Sequence, residues 1–212
     1  MKDALRDILE FYQHLGLEAV PLPPGKAQAL QGLRAQIGDC RRCGLHRGRN
    51  HLVFGEGNPS AELMFIGEAP GREEDLQGRP FVGDAGRLLE SLIRKMGFKR
   101  SEVYIANIVK CRPPMNRDPL PEEIGTCLPF LQRQIEIISP RVIMSLGRIS
   151  AQSLIGTKVP ITRLRGRFYS YRGIALMPTF HPAYLLRNRR DKWLTWADAE
   201  EVLRFLGRSV AP

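Results

Sequence analysis

The sequence contains no long apolar segment. No stretch of about 18 consecutive apolar residues occurs in the chain, which excludes a membrane-spanning helix. The N-terminal segment carries Asp3, Asp7 and Glu10 and has no apolar core of the kind found in secretory signals. Internal repeats and low-complexity tracts are also absent. We therefore expect a globular protein that stays in the cytoplasm and has no membrane partner.

Acidic residues are scarce relative to basic ones. The chain has 22 Asp and Glu residues against 32 Lys and Arg residues, and its formal net charge is +10. The basic residues are dispersed, without one long basic run. An excess of this size favours a polyanionic partner, nucleic acid above others. A solvated basic surface that binds no partner is the alternative.

Cysteine is scarce as well, and all four cysteines form one pattern. The first two are separated by two residues, the third follows after 67 residues and the fourth after a further 15. Disulfides are rare in cytosolic proteins, so the choices are zinc, an iron–sulfur cluster or buried free thiols. A C-x2-C pair can hold one metal centre, but spacing does not separate zinc from a cluster. The predicted metal ligands are Cys40, Cys43, Cys111 and Cys127.

Short apolar runs alternate with helical patterns along the middle of the chain. Strands are predicted at 63–66, 103–109 and 142–146, and helices at about 84–96 and 121–138. This alternation implies parallel pairing of the strands. With 212 residues, of which 43% are hydrophobic and 25% charged, the chain suits one α/β domain with a full core.

The two ends of the chain add further predicted elements. An amphipathic helix is predicted at 1–17 and a Pro-rich linker at 20–25, followed by a helix at 27–37. A β-hairpin is predicted at 167–179, and its second strand is a candidate member of the sheet. An amphipathic helix at 193–206 closes the chain.

The segment 67–83 is the strongest candidate for a binding loop. It begins Gly-Glu-Ala-Pro-Gly directly after the strand predicted at 63–66, and a helix is predicted to begin after it, at Asp84. Glycines and prolines punctuate the segment, and Phe81 stands alone among charged residues. Open α/β sheets bind ligands at the carboxyl ends of parallel strands. An ordinary long connection is the alternative.

Three short motifs follow one another along the chain. They are Gly-Glu-Ala-Pro-Gly at 67–71, Ala-Asn-Ile-Val-Lys-Cys-Arg-Pro-Pro at 106–114 and Thr-Phe-His-Pro-Ala at 179–183. With the cysteine spacing, they resemble the iron–sulfur uracil-DNA glycosylases of the family 4 type, over about residues 36–208. The resemblance implies a three-layer α/β/α sandwich with a central four-stranded, mainly parallel sheet.

The resemblance also implies an activity and a cofactor. The expected enzyme is a monofunctional glycosylase that hydrolyses the N-glycosidic bond of deoxyuridine in single- and double-stranded DNA. It releases free uracil and leaves an abasic site. A [4Fe-4S] cluster would occupy the four cysteines, away from the catalytic pocket, in a domain spanning 28–208. Residues 1–27 would form a helical extension and linker, and we expect a monomer that associates with the nucleoid.

The resemblance assigns roles to three side chains that the chemistry requires. The uracil must be flipped out of the duplex, and its leaving group develops negative charge. His181 is predicted to donate a hydrogen bond to uracil O2 as a neutral imidazole. Asn107 is predicted to read the Watson–Crick edge with its amide held by a neighbouring hydrogen bond, and Phe81 to stack on the base. The alternatives are structural roles, for His181 in a proline turn, for Asn107 at a strand end and for Phe81 in the core.

The carboxylate that positions the attacking water is predicted to be Glu68. In the better-known uracil glycosylases this loop reads G-Q-D-P-Y and the Asp has that role, but Ala69 stands at its position here. The later acidic residues of the loop are reserves. Gly71 occupies the place of the Tyr that excludes thymine, so Glu74 is predicted to fill that space. Gly67 completes the predicted substrate-binding loop.

The residues after His181 are predicted to contact DNA. An apolar tip flanked by arginines suits a wedge that fills the vacated base stack while cations hold phosphates. The beginning of an ordinary amphipathic helix is the alternative. The predicted DNA-contacting residues are Leu185, Leu186, Arg187, Arg189 and Arg190.

Other functions stay open at this point. A non-catalytic, metal-bearing nucleic-acid-binding protein would share the charge and the cysteines, but Glu68, Asn107 and His181 would then not converge. An iron–sulfur redox protein is disfavoured because no flavin or partner-domain motif is present. Within the glycosylases, hypoxanthine or other deaminated bases are alternative substrates. Crosslinking relatives carry a reactive His in a basic loop, whereas the loop at 112–121 contains no His.

Overall fold

A computed structural model of the protein describes residues 24–209 together with Arg6, Phe11 and Tyr12. The N-terminal helix predicted at 1–17 lies outside the described residues except at those three positions. Most of the linker predicted at 20–25 lies outside them too.

The described residues contain helices on both sides of one sheet, and none of these helices has the length and apolar character needed to cross a membrane. The helices at 84–96, 121–138 and 193–206 were predicted and are confirmed, whereas a short helix inside the 67–83 loop was not predicted. Helix bounds are Lys26–Ile37 (α1), Arg72–Gln77 (α2), Asp84–Lys95 (α3), Pro121–Ile138 (α4), Arg148–Ile155 (α5), Ile161–Leu164 (α6), Pro182–Arg187 (α7) and Lys192–Leu206 (α8).

Within the described part of the chain, the sheet has six strands in the order β1-β3-β2-β4-β6-β5. The four inner strands pair in parallel, as predicted, and β1 and β5 add an antiparallel strand at each edge. The predicted hairpin is confirmed as β5 and β6. Strand bounds are Glu56–Gly57 (β1), Leu63–Gly67 (β2), Tyr104–Asn107 (β3), Val142–Leu146 (β4), Tyr169–Tyr171 (β5) and Ile174–Thr179 (β6).

Buried side chains form two apolar clusters, one on each face of the sheet. One cluster contains Leu33 of α1 and Leu131 and Ile135 of α4. The other contains Leu89 of α3 and Val202 of α8. Because β2, β3 and β4 are buried throughout, both faces of the sheet need a covering layer of helices. The three-layer α/β/α prediction is therefore confirmed.

The register of the parallel strands brings the three motifs to one edge of the sheet. Gly67 at the end of β2 lies opposite Asn107 at the end of β3. Leu146 at the end of β4 lies opposite Thr179 at the end of β6. The pairing of the first two motifs extends beyond the strands, since the Val109 N–H donates to the Glu68 carbonyl at 3.1 Å. The carboxyl edge of the sheet is thus where a shared site can form.

Candidate active site

A cleft of about 390 Å³ opens at this edge of the sheet. It is bordered by the loop after β2, the end of β3 and the beginning of α7. Glu68, Asn107 and His181 all line it. These three residues therefore converge, which was not expected of a non-catalytic DNA-binding protein. The predicted site residues along its wall are Glu68, Ala69, Gly71, Glu74, Phe81, Asn107, His181 and Arg187.

The amide of Asn107 has no hydrogen-bond partner among the described residues. The side chain is 1% exposed, yet both its Nδ2 and Oδ1 atoms are unpaired. Gly67 makes room for it, because a Cβ at that position would overlap Asn107 Oδ1 and the Phe81 ring. The prediction that a neighbouring hydrogen bond fixes the amide orientation is therefore wrong. A buried amide without partners at a cleft wall is the arrangement that a hydrogen-bonding ligand would complete.

The main chain of Asn107 is held from behind by a buried lysine. Lys110 Nζ donates to the Asn107 carbonyl at 2.9 Å and to Gln134 Oε1 at 2.6 Å. Gln134 in turn donates to the Phe54 carbonyl at 3.0 Å. Only the side chain of Asn107, and not its backbone, is consequently left free to meet a ligand.

The imidazole of His181 is positioned as a neutral hydrogen-bond donor. Its Nδ1 accepts from the Ala183 N–H at 3.1 Å, so in the neutral ring the proton resides on Nε2. Burial lowers the pKa of His181 to about 4, although the carboxylate of Glu74 opposes the shift. Gly147 lets the ring seat closely, because a Cβ there would lie 2.8 Å from the His181 Cβ. The ring can therefore donate through Nε2–H at neutral pH without carrying a charge.

Phe81 forms a wall of the cleft beside His181. Its ring centroid lies 5.7 Å from that of His181, at an interplanar angle of 32°. The backbone is left-handed, with φ of 51°, and Arg100 Nη1 donates to the Phe81 carbonyl at 3.2 Å. A Cβ at Gly86 would overlap that carbonyl group. Phe81 is thus held in a left-handed backbone conformation, and its ring lines the cleft.

Glu68 titrates close to neutral pH. Burial and, to a smaller extent, the nearby carboxylate of Asp118 raise its pKa to about 7, although the guanidinium of Arg148 opposes the shift. Asp118 and Arg148 also form an ion pair with each other. A carboxylate with a pKa near the working pH is suited to accept a proton from water.

The reserve carboxylates of the loop are occupied by hydrogen bonds within the protein. Glu74 accepts backbone N–H bonds from Gly71 at 3.0 Å, from Val82 at 2.9 Å and from Gly83 at 3.0 Å. Asp75 is buried and accepts from the Asn50 backbone at 2.9 Å. These bonds occupy both carboxylates within the loop and leave Glu68 as the candidate carboxylate for water. The exclusion of thymine by Glu74 stays a prediction.

The predicted DNA-contacting residues divide into buried and exposed members. Leu185 is 3% exposed and packs into the protein, so its prediction as a DNA contact is corrected: it anchors α7. Leu186 is 40% exposed, and the side chains of Arg187, Arg189 and Arg190 are exposed. Helical geometry explains the division, because adjacent residues on a helix point in different directions.

The four predicted cysteine ligands border one small cavity. Arg49 Nη1 donates to Cys111 Sγ at 3.2 Å, and the Lys110 N–H donates to Cys127 Sγ at 3.2 Å. Burial raises the pKa of the Cys127 thiol to about 11. Between residues 24 and 209, no group of three or more His, Cys, Asp or Glu side chains is positioned to hold a metal ion. Four thiols around one cavity, two of which receive an N–H donor at the sulfur, nevertheless form a donor set that fits an iron–sulfur cluster.

Several cleft residues were not predicted from the sequence. Asn116 and Arg117 line the cleft from the loop after β3, and Tyr184 lines it from α7. The Tyr184 hydroxyl donates to Asp191 at 2.6 Å. The Pro-Pro-Met-Asn-Arg stretch at 113–117 carried a usable signal, because its turn-forming residues follow closely after the strand that ends at Asn107.

Comparisons with known proteins agree with this geometry. The family model of the uracil DNA glycosylase superfamily matches residues 54–204. A type-4 uracil-DNA glycosylase of Thermotoga maritima is 47% identical over 185 residues, covering 85% of this chain and 96% of the relative. Those of Sulfurisphaera tokodaii and Archaeoglobus fulgidus are 46% and 43% identical, covering 82% and 75% of this chain and 83% and 84% of the relatives. The chain belongs to the uracil DNA glycosylase superfamily and, within it, to the type-4 uracil-DNA glycosylases.

Proposed function

We propose that this protein is a DNA repair glycosylase that hydrolyses the N-glycosidic bond of deoxyuridine in single- and double-stranded DNA. It releases free uracil and leaves an abasic site. The observation that carries the proposal is the unpaired Asn107 amide, buried in a cleft whose other walls include Phe81 and His181. Uracil offers an N3–H donor and an O4 acceptor on one edge, which an amide can satisfy together.

Bond cleavage requires stabilisation of opposite charges on the two fragments. As the C1′–N1 bond breaks, negative charge develops on the uracil, and positive charge develops on the sugar. His181 donates from Nε2 to uracil O2, and its low pKa keeps the ring neutral. Phe81 stacks on the flipped base and orients it. This assignment is supported by the tautomer that the Ala183 N–H imposes on the ring.

Ionised Glu68 positions the attacking water and accepts its proton. Its pKa of about 7 leaves it ionised in a substantial fraction of molecules at neutral pH. A negative carboxylate near the sugar also stabilises the positive charge that forms there. The neighbouring acidic side chains, Glu74 and Asp75, are committed to loop hydrogen bonds, which supports Glu68 for this role.

The enzyme's contact with DNA is assigned to α7 and the residues after it. Leu186 enters the space that the flipped nucleotide leaves, and the exposed Arg187, Arg189 and Arg190 neutralise phosphates. The net charge of +10 supports this interaction. We propose that the protein works on chromosomal DNA in the cytoplasm as a monomer, with residues 1–27 as an extension of the glycosylase domain.

We also propose that the four cysteines hold a [4Fe-4S] cluster. When bound, the cluster would tie the segment at 40–43 to the segment at 111–127, which follows directly after β3. Its role is structural, because the cysteines border a cavity separate from the cleft. Purified protein should contain iron and sulfide, and Cys111→Ser should lower both the cluster content and the melting temperature. Stoichiometric zinc without iron in anaerobically prepared protein would contradict this assignment.

The test of the function is release of uracil from a labelled oligonucleotide, followed by alkaline cleavage at the abasic site. The expected result is cleavage of uracil-containing single and double strands, with no cleavage of matched strands containing thymine or cytosine. Asn107→Ala should abolish most of the activity while leaving the melting temperature almost unchanged. Folded, iron-replete protein that leaves every strand intact would favour the non-catalytic binding protein instead.

A further inference from the structure

The loop between β3 and α4 presents an apolar side chain to solvent. Met115 is 93% exposed, more than any other large hydrophobic residue in the described chain. It lies in the 3₁₀ helix Pro114–Asn116. The flanking residues Pro113, Asn116 and Arg117 line the cleft, whereas Met115 is not part of its lining. An apolar tip therefore stands at the rim of the cleft with no cover from the described residues.

The backbone at this tip is strained. Met115 adopts φ of 53° and ψ of 21°, and Asn116 adopts φ of 53°. Asn tolerates the left-handed region, but a Met there is disfavoured by contact between its Cβ and its own backbone. Glycine at position 115 would remove the strain. Strained residues of this kind persist where the surrounding structure holds them, and they are concentrated at functional sites.

Neighbouring side chains hold the loop in this conformation. Arg112 Nε donates to Asn116 Oδ1 at 2.7 Å. Arg117 makes two hydrogen bonds with the carboxylate of Glu123, at 2.8 and 2.7 Å, and a third with the Asp118 carbonyl at 2.9 Å. The Met115 side chain is thus presented by a braced turn rather than by a loose loop.

The position of the tip relative to α7 indicates what it contacts. Met115 follows β3, and Leu186 follows β6, and these strands are separated in the sheet by β2 and β4. Three strand spacings amount to roughly 14 Å, so a DNA duplex lying across this edge of the sheet would meet the two apolar tips at different places. Apolar side chains that include Met are known to insert between base steps, and a thioether adapts readily to the face of a base.

We propose that Met115 is a second apolar wedge, which inserts into the base stack of duplex DNA while the uracil is flipped into the cleft. The inference rests on the proposed glycosylase function and extends it to how the duplex is opened. A wedge replaces stacking that the flipped base has lost, so it matters for a duplex and not for a single strand. Arg112, which braces the turn through Asn116, also brings positive charge to the same rim, whereas the charge of Arg117 is neutralised by Glu123.

The test compares single-turnover uracil release from a duplex and from a single strand of the same sequence. Met115→Ala should slow release from the duplex about tenfold and leave release from the single strand within about twofold of wild type. Met115→Gly should behave in the same way while retaining or raising the melting temperature, since it relieves the left-handed strain. Met115→Leu should restore most of the duplex rate. Val159→Ala, which truncates an exposed apolar residue outside the cleft lining, is the matched control and should alter neither rate.

A second measurement reports on the stack directly. A fluorescent adenine analogue opposite or beside the uracil should brighten less on binding of Met115→Ala than on binding of wild-type protein. Duplex rates that match wild type in both the Ala and Gly variants would overturn the wedge. So would equal losses on the single strand and the duplex, since they would make Met115 a structural residue of the cleft. Wild-type protein inactive on both strands would instead overturn the proposed function.

Discussion

The pH dependence of uracil release offers a direct test of the role of Glu68. Burial and the Asp118 carboxylate raise the pKa of Glu68 to about 7, and the Arg148 guanidinium opposes them. Only the ionised carboxylate can accept a proton from the attacking water. The single-turnover rate should therefore rise with pH and level off above about pH 7.

The magnitude of the effect follows from the pKa. One pH unit below it, about one tenth of the Glu68 carboxyl groups is ionised, so the rate at about pH 6 should be about tenfold below the plateau. His181 adds no inflection in this range, because burial lowers its pKa to about 4 and the ring stays neutral. An inflection near neutral pH therefore belongs to Glu68.

Two substitutions should move this inflection in opposite directions. Asp118→Asn removes a like charge and frees Arg148 from its ion pair, so the pKa of Glu68 should fall. Arg148→Ala removes the opposite charge and leaves Asp118 unpaired, so the pKa of Glu68 should rise. The side chains of Arg148 and Asp118 are 47% and 60% exposed. Solvent screening should therefore hold each shift to a fraction of a pH unit.

The assay is uracil release from a single-stranded oligonucleotide between about pH 5 and about pH 9, where flipping out of a duplex plays no part. Glu68→Gln should be slow and independent of pH. A folding measurement gives an independent check: the folded-state pKa lies above the usual value of 4.5. Ionisation of the buried Glu68 therefore lowers the stability of the protein as the pH rises from 4.5 to about 7. At a pH above about 7, Glu68→Gln should consequently raise the melting temperature relative to wild type. A flat wild-type profile, or an inflection that survives in Glu68→Gln, would refute the assignment.

The remaining predictions concern the donor, the base reader and the DNA contacts. His181→Ala should slow single-turnover uracil release by about 10²–10³-fold while weakening the binding of uracil DNA much less. A decrease in this rate of less than about tenfold would show that His181 is a structural residue. Asn107→Asp should lose most uracil release, because a carboxylate cannot donate to O4. When the introduced carboxyl group is protonated, the variant should release cytosine weakly. Normal release of uracil with no release of cytosine would show that position 107 does not read the base. Replacing Arg189 and Arg190 by Ala should make the log–log dependence of DNA affinity on salt shallower by about two units, and an unchanged slope would locate the phosphate contacts elsewhere.

The sequence alone predicted the parallel strands of the core and, through the family resemblance, the main residues of the cleft. Strand and helix periods are local properties, so the apolar runs at 63–66 and 142–146 predicted buried parallel strands, which the structure confirms. Parallel strands present their carboxyl ends at one edge, and the three motifs begin at or next to the strand ends at Gly67, Asn107 and Thr179. The family resemblance named the site residues, and the parallel order of the strands explains why they meet at one edge of the sheet.

Only the tertiary structure decided how the site residues are tuned. The pKa of Glu68 depends on Asp118 and Arg148, which are distant in sequence, and on burial that no local pattern encodes. The unpaired amide of Asn107 likewise became visible only when every neighbour was in place. The inward side chain of Leu185 and the exposed, strained Met115 follow from backbone direction at single residues. Hydrogen-bond satisfaction, solvent exposure and charge proximity are sums over the whole fold, and for that reason a one-dimensional pattern cannot supply them.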